Sequence, residues 1–253
     1  MLVSLLITIV GLENMPNIKE GDDLAKIIVE SAGKQNFKLQ DRDVVVVTQK
    51  IVSKAEGRVV ELDSVKPSKL ALRVARRAGK DPRHIETILR ETVEILKMRD
   101  AHLIVETKHG FVCANAGVDR SNVVGGNQAA LLPLDPDRSA RLIRDGIKAL
   151  AGVDVAVIVS DTFGRPWRVG QTNVAIGIAG MKPIRDYRGQ KDMFGYMLRV
   201  SLVAVADELA SAAELVMNKF DRVPVAVVRG YSYIEGEGTV REILRPKELD
   251  LFR

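Results

Sequence analysis

The sequence predicts an α+β fold with mixed sheets, and three observations carry that expectation. Short β-branched runs bounded by glycine, proline or polar residues recur along the chain, at residues 43–47, 103–113, 155–160 and 223–228. Segments with apolar residues at helical spacing lie between them. One of these, residues 135–150, feeds directly into the run that opens at Val155, which makes a local strand–helix–strand unit. At 253 residues the chain is long enough for one large domain or two modest ones, and either buries a substantial core. It is read as a single unit, with an internal division placed at residues 1–122 and 123–253.

Taken in order, residues 1–10 are apolar but lack a basic leader and are too short to span a bilayer, so they read as a first strand. A loop over 11–24 then enters a helix capped by Asp22 that carries Leu24, Ile27, Ile28 and Ser31. That loop, with Met15, Pro16, Asn17 and Ile18, could pass backbone groups to a purine base; a plain connector is the simpler reading. The strand at 43–47 ends in Thr48, Gln49, Ser53 and Lys54. Lys54 suits a phosphate as a point charge and Ser53 could hydrogen-bond it, although a solvated lysine is the plainer alternative. The Gly-Lys-Ser/Thr signature is missing, so no P-loop is implied.

Residues 66–97 read as two helices. The first runs from Ser68 to Ala78. The second has Asp81 as N-cap and Pro82 at its first position, and continues through Ile85, Ile88, Leu89, Val93 and Leu96 with His84 on its outer face. A hairpin follows around His109-Gly110, with His109 an exposed turn residue and Cys113 packed. The helix from Asp135 to about Leu150 turns Leu142, Ile143, Ile147 and Leu150 inward. After the strand at 155–159 come Ser160, Asp161 and Thr162, then Arg165 and Arg168. Small residues at 170–180 permit close backbone approach, and a charged loop at 184–195 could cover a substrate. A last helix, about 201–217, sets Asp207, Ser211 and Glu214 on one polar stripe, and a final strand occupies 223–228.

Hydrophobic residues at 46% and charged residues at 28% describe an ordinary globular protein, and aromatics make up only 4%. The net charge of +5 suits anionic small molecules. The basic residues are spread along the chain without interleaved aromatics, which argues against nucleic acid. One cysteine excludes an intrachain disulfide and a cysteine-cluster metal site, and fits a reducing cytoplasm. Asp119 and Asp161, each just past a strand, are the acids best placed to share a hard metal ion with phosphate oxygens. Asn122 can bond a phosphate or a base. Arg165 and Arg168 are forks for carboxylate or phosphate.

Several stretches together resemble one family. Residues 159–168 (VSDTFGRPWR), 114–122 (ANAGVDRSN) and 52–57 (VSKAEG) are similar to motifs of the coenzyme F(420)-0:γ-glutamyl ligases, as are 15–24 and 207–215. The likeness covers almost the whole chain. It implies a two-part mixed-sheet fold, distinct from P-loop and Rossmann folds, in a homodimeric enzyme. The implied reaction uses GTP to join L-glutamate to coenzyme F(420)-0 and then a further glutamate by a γ-linkage. The implied metal is Mg²⁺ or Mn²⁺, with K⁺ a further candidate. Carried over by position, the metal ligands fall on Asp119, Asp161 and Thr162, with Glu214 chosen from the helical stripe. The nucleotide contacts fall on Met15, Pro16, Asn17 and Ile18, on Thr48 or Gln49, on Ser53 and Lys54, and on Asn122. A metal-dependent nucleotide phosphohydrolase and a nucleotide-binding module without turnover are the two rivals.

Overall fold

The computed structural model describes residues 6–99, 102–121 and 127–252. Strand β1 (Thr8–Gly11) leads to helix α1 (Leu24–Lys34), then β2 (Val44–Thr48), the short α2 (Gln49–Ala55) and β3 (Val59–Glu61). Helices α3 (Lys69–Ala78) and α4 (Pro82–Arg90) precede three strands, β4 (Thr92–Arg99), β5 (His102–Thr107) and β6 (Val112–Ala114). Strand β7 (Gln128–Ala130) and helix α5 (Pro136–Ala151) come next, followed by β8 (Ala156–Arg165) and β9 (Arg168–Ala179). Two short strands, β10 (Arg185–Asp186) and β11 (Leu202–Val203), then α6 (Val205–Met217) and β12 (Val225–Arg229), complete the order.

The main sheet runs β1-β12-β2-β8-β9, with β2 and β8 parallel and every other pair antiparallel. Val44 to Val47 and Ala156 to Val159 are fully buried, which is why these strands read as continuous apolar runs rather than alternating ones. Helix α5 lies along β8 and β9 with α1 against it, while α6 reaches from β9 to β1. Gly177 on β9 is a packing requirement: a Cβ there would stand 2.2 Å from the Pro136 carbonyl oxygen at the start of α5. A smaller core, with Leu62, Val74, Ile85, Ile88, Leu103 and Val105 at its centre, unites α3, α4 and the β4-β5-β6 sheet. The α+β class with mixed sheets is therefore what the chain forms. Because the main sheet draws strands from both sides of residue 122, the sheets do not follow the division expected there.

Several elements differ from expectation. The cap of α1 is Asp23, whose carboxylate accepts from the Lys26 amide, while Asp22 closes the preceding turn on the Lys19 amide. Helix α4 stops at Arg90, and residues 92–99 form β4, whose β-branched Thr92, Val93 and Ile95 suit pairing with β5. His84 is buried rather than on the outer face. On α5, Leu142 and Leu150 are exposed, because the buried stripe is Pro136, Ser139, Ala140, Ile143 and Ile147. Helix α6 begins at Val205, since Leu202 and Val203 pair with β10 instead. Of the apolar leader, residues 1–5 lie outside the described residues and only 8–10 fall in β1.

Candidate active site

Strand β2 turns into α2 at Thr48, the residue in register with Ser160 on β8. Strand β8 continues past it, paired only with β9, and the divergence opens a cavity of about 830 Å³ at the strand ends. Ser160, Asp161 and Thr162, expected beyond the strand, lie within it. A register shift between Val159 and Ser160 marks the point where apolar residues give way to polar ones.

Five segments wall the cavity. Met15, Pro16, Asn17 and Ile18 form one side, and Thr48, Gln49, Lys50 and Lys54 come from the β2–α2 junction. Asn115, Asp119 and Ser121 follow β6, on a turn where Asn115, Ala116 and Gly117 all have left-handed φ values of 53, 55 and 68°. Hydrogen bonds in both directions between the backbones of Asp119 and Ala130 fix that turn to β7. Asp161, Thr162, Gln171 and Asn173 belong to the β8–β9 hairpin, Glu214 to α6, and Lys219, Phe220 and Arg222 to the loop after it.

The two acids differ in state. Asp119 receives Lys50 Nζ at 2.7 Å, the Ser121 amide at 2.7 Å and the Ser121 hydroxyl at 2.8 Å. Burial pushes its carboxyl upward, but the Lys50 and Ser121 hydrogen bonds outweigh this and hold it below the usual range. Burial raises Asp161 to about 7 and the neighbouring Asp119 charge adds to the rise, against the Thr162 amide, Lys50 and Lys219. Lys54 is held below the ordinary lysine value by burial and by Lys50. Beyond Asp161, the Thr162 hydroxyl donates to Asn173 Oδ1 at 2.8 Å, and Asn173 Nδ2 donates to Glu214 at 2.8 Å. The stripe on α6 thus faces β9: Ser211 donates to the Asn173 carbonyl and Asp207 accepts from the Ala175 amide.

Met15 to Ile18, Thr48, Gln49, Lys54, Asp119, Asp161, Thr162 and Glu214 therefore share one cavity. Ser53 does not reach it: the side chain is fully buried and its hydroxyl donates to Gln49 Oε1 at 2.8 Å. Arg165 and Arg168 stand exposed near the hairpin tip, away from the cavity wall. Asn122 lies outside the described residues. His109 is half-buried, stacked on Phe111 and bonded through Nε2 to the Pro133 carbonyl at 2.8 Å. Cys113 is packed as expected, its thiol pushed up to about 12 by burial. The sequence reading missed Lys50, Ser121, Gln171, Asn173, Lys219, Phe220 and Arg222. Lys50 adjoins Gln49 in the same polar strand ending, whereas Lys219 and Arg222 sit in a loop whose left-handed Asn218 and Arg222 carry no glycine to mark them.

Among the described residues, no three carboxylate, imidazole or thiol groups stand close enough to share an ion. The pair Asp119 and Asp161, with hydroxyl oxygens beside it, nonetheless has the oxygen chemistry that suits a hard divalent cation.

A sheet with a parallel central pair, flanked by helices, opens at its strand ends into a cavity lined by oxygen donors and lysines, in a chain that lacks the P-loop signature. The family described as F420-0:Gamma-glutamyl ligase matches over residues 13–230. A Coenzyme F420:L-glutamate ligase of Methanothermobacter thermautotrophicus is 47% identical over 98% of this chain and 99% of its own length. Those of Methanocaldococcus jannaschii and Methanopyrus kandleri are 43% and 45% identical, over 98% and 93% of this chain and 97% and 93% of their own lengths. The chain belongs to the F420-0:Gamma-glutamyl ligase family. No helix among the described residues is long and apolar enough to cross a membrane.

Proposed function

We propose that this protein is a GTP-dependent ligase that joins L-glutamate to coenzyme F(420)-0, and then a further glutamate by a γ-glutamyl linkage. Membership of the ligase family supports the substrates. The observation that carries the chemistry is one cavity whose wall carries Lys54, with no carboxylate partner among the described residues, together with the Lys50–Asp119 pair and Asp161. A carboxylate is a poor electrophile, so amide formation begins with its activation. An oxygen of the coenzyme's carboxylate attacks the γ-phosphorus of GTP and GDP leaves, giving an acyl phosphate. The free amine of glutamate then attacks the acyl carbon, the C–O bond breaks, and inorganic phosphate departs as the amide forms.

In this reading Lys54 holds phosphate oxygens, Met15 to Ile18 face the base, and Thr48 and Gln49 line the nucleotide path. Asp119, Asp161 and Thr162 hold Mg²⁺ or Mn²⁺, which supplies neutralisation of charge during phosphoryl transfer. Lys50 must then yield its contact with Asp119. Glu214 enters through Asn173 rather than as a direct member of the acid pair. A homodimer is supported by the exposed apolar side chains of the hairpin tip and C-terminus, where Trp167 packs on Phe252 and Val169 and Leu251 stand open; sedimentation should give twice the chain mass.

The test is GDP release with GTP, Mn²⁺ and L-glutamate, with and without the coenzyme, alongside mass spectrometry of the coenzyme. Release that needs both acceptors, with a glutamyl mass increment, is expected; release with neither would identify a phosphohydrolase instead. Repeating the assay without potassium tests that ion. Asp161→Ala should abolish metal-dependent turnover and leave the far-ultraviolet spectrum unchanged.

A further inference from the structure

Resting on the ligase reading above, we propose that the Asn115 side-chain amide, held in place by Lys80, donates a hydrogen bond to a carboxylate of the acid substrates. The pair then serves the acceptor side of the reaction rather than the nucleotide, with Lys80 as a positioning residue.

Both residues are fixed by their backbone. Asn115 opens the turn after β6 with a left-handed φ of 53°, a region that asparagine enters more readily than most side chains. Lys80 sits in the short link between α3 and α4. Gly79 ends α3 with a left-handed φ of 61°, the amides of Gly79 and Lys80 both return to the Ala75 carbonyl, and Asp81 caps α4. Ala75 and Ala116 are buried in the same smaller core, which ties the link to the turn.

The chemistry of the contact decides which way the amide faces. Lys80 Nζ lies 3.3 Å from Asn115 Oδ1, and because an ammonium only donates, the amide must turn its oxygen toward it. Asn115 stands on the cavity wall and Lys80 behind it. The amide's other polar end, Nδ2, has no partner among the described residues, so its N–H donors are left for a ligand. Lys80 in turn lacks an acid. The adjacent Asp81 is held by Arg83 Nη2 at 2.8 Å, and Asp119 by Lys50 at 2.7 Å. Burial keeps the half-buried ammonium below the ordinary lysine value. A cation gripping the amide oxygen polarises the amide and makes Nδ2 the stronger donor to an anion.

Placement names the class of ligand. Ile18, Ile51 and Val52, from the segments read above as nucleotide contacts, pack in the main core, whereas Lys80 and Asn115 stand on the smaller one. A ligase that activates an acid with a triphosphate must hold two carboxylate-bearing partners besides the nucleotide, and a fixed N–H donor on the second wall suits a carboxylate oxygen.

The test is steady-state GDP release, varying GTP, L-glutamate and coenzyme F(420)-0 in turn, for the wild type, Asn115→Gly, Asn115→Asp, Lys80→Met and Lys80→Arg. Glycine accepts the left-handed φ, so Asn115→Gly removes the amide without straining the turn. Asn115→Asp keeps the shape and turns an acceptor toward the ligand. Both Asn115 variants and Lys80→Met should raise KM for one acid substrate by about ten- to a hundredfold, as for the loss of one hydrogen bond to a charged group. KM for GTP should change by less than about threefold, and Lys80→Arg should recover most of the loss. The substrate affected identifies the carboxylate as the coenzyme's or glutamate's. Because Lys80 acts through Asn115, adding Lys80→Met to Asn115→Gly should cost nothing further, whereas a structural role would add. Unchanged KM for both acids, an equal rise for GTP, or additive losses would overturn the assignment. A wild type that releases no GDP with all three substrates present would overturn the ligase reading itself, which distinguishes the two failures.

Discussion

His84 gives a pH-dependent stability that can be worked out from its surroundings. It occupies the first turn of α4 and is 8% exposed, with no hydrogen-bond partner for its buried Nδ1. Burial, then the charges of Lys80 and Arg120, lower its pKa from 6.5 to about 4, against the opposing pull of Asp81 and Asp119. Above pH 6.5 the ring is neutral in both folded and unfolded chains and contributes nothing. As pH falls from 6.5 toward 4 the unfolded chain takes up a proton that the folded one refuses, so stability is lost through that window. The gap between 6.5 and about 4, at about 1.4 kcal/mol per pH unit, makes the full loss about 3 kcal/mol. Urea unfolding of the wild type and His84→Leu, followed by circular dichroism because Trp167 is 87% exposed and a poor reporter, should show it. Whatever the offset at pH 7, the variant should gain about 3 kcal/mol on the wild type by pH 4. A difference between the two that stays constant across that range would refute the reasoning.

Gly177→Ala should cost about 3 kcal/mol in the same unfolding assay, since its Cβ would meet the Pro136 backbone rather than a movable side chain. Asp43 is 1% exposed and held by Arg229 Nε at 2.8 Å and Nη2 at 2.7 Å, so Arg229→Leu should destabilise by about 3–5 kcal/mol by leaving a buried charge unmatched. Native Cys113 should resist a thiolate-directed reagent at pH 8 and react only on unfolding, because burial holds its thiol near 12.

What could be read from the sequence was what local patterning decides. The β-branched runs at Val44 to Val47 and from Ala156 onward, the Asp81-Pro82 helix start and the hairpin at His109-Gly110 declare themselves through side-chain period and turn chemistry. The end of α4 did not, because Val93 and Leu96 continue a helical spacing by chance and only pairing with β5 decides the matter. The inward turn of Leu142 and Leu150 failed for a related reason: a helix with leucines on two sides leaves the choice of face to Ile143, Ile147 and the sheet they meet. In the site, Asp119 and Asp161 stood out in the sequence as acids that follow apolar runs, although Asp161 lies inside β8 rather than past its end. Lys50, Asn173 and Lys219 did not, since each becomes relevant only when segments more than thirty residues apart converge.

The charges of the cavity oppose any ligand that arrives alone. A divalent cation would meet Lys50, Lys54 and Lys219, and would have to displace Lys50 from Asp119. A polyphosphate without a cation would meet Asp119 and, above about pH 7, an ionised Asp161. Bound together, each removes the penalty on the other: the cation returns Asp161 to its ionised state, and the freed Lys50 gains an anionic partner in place of Asp119. On the proposed reading, metal and nucleotide must therefore strengthen one another's binding by the same factor, as linkage demands.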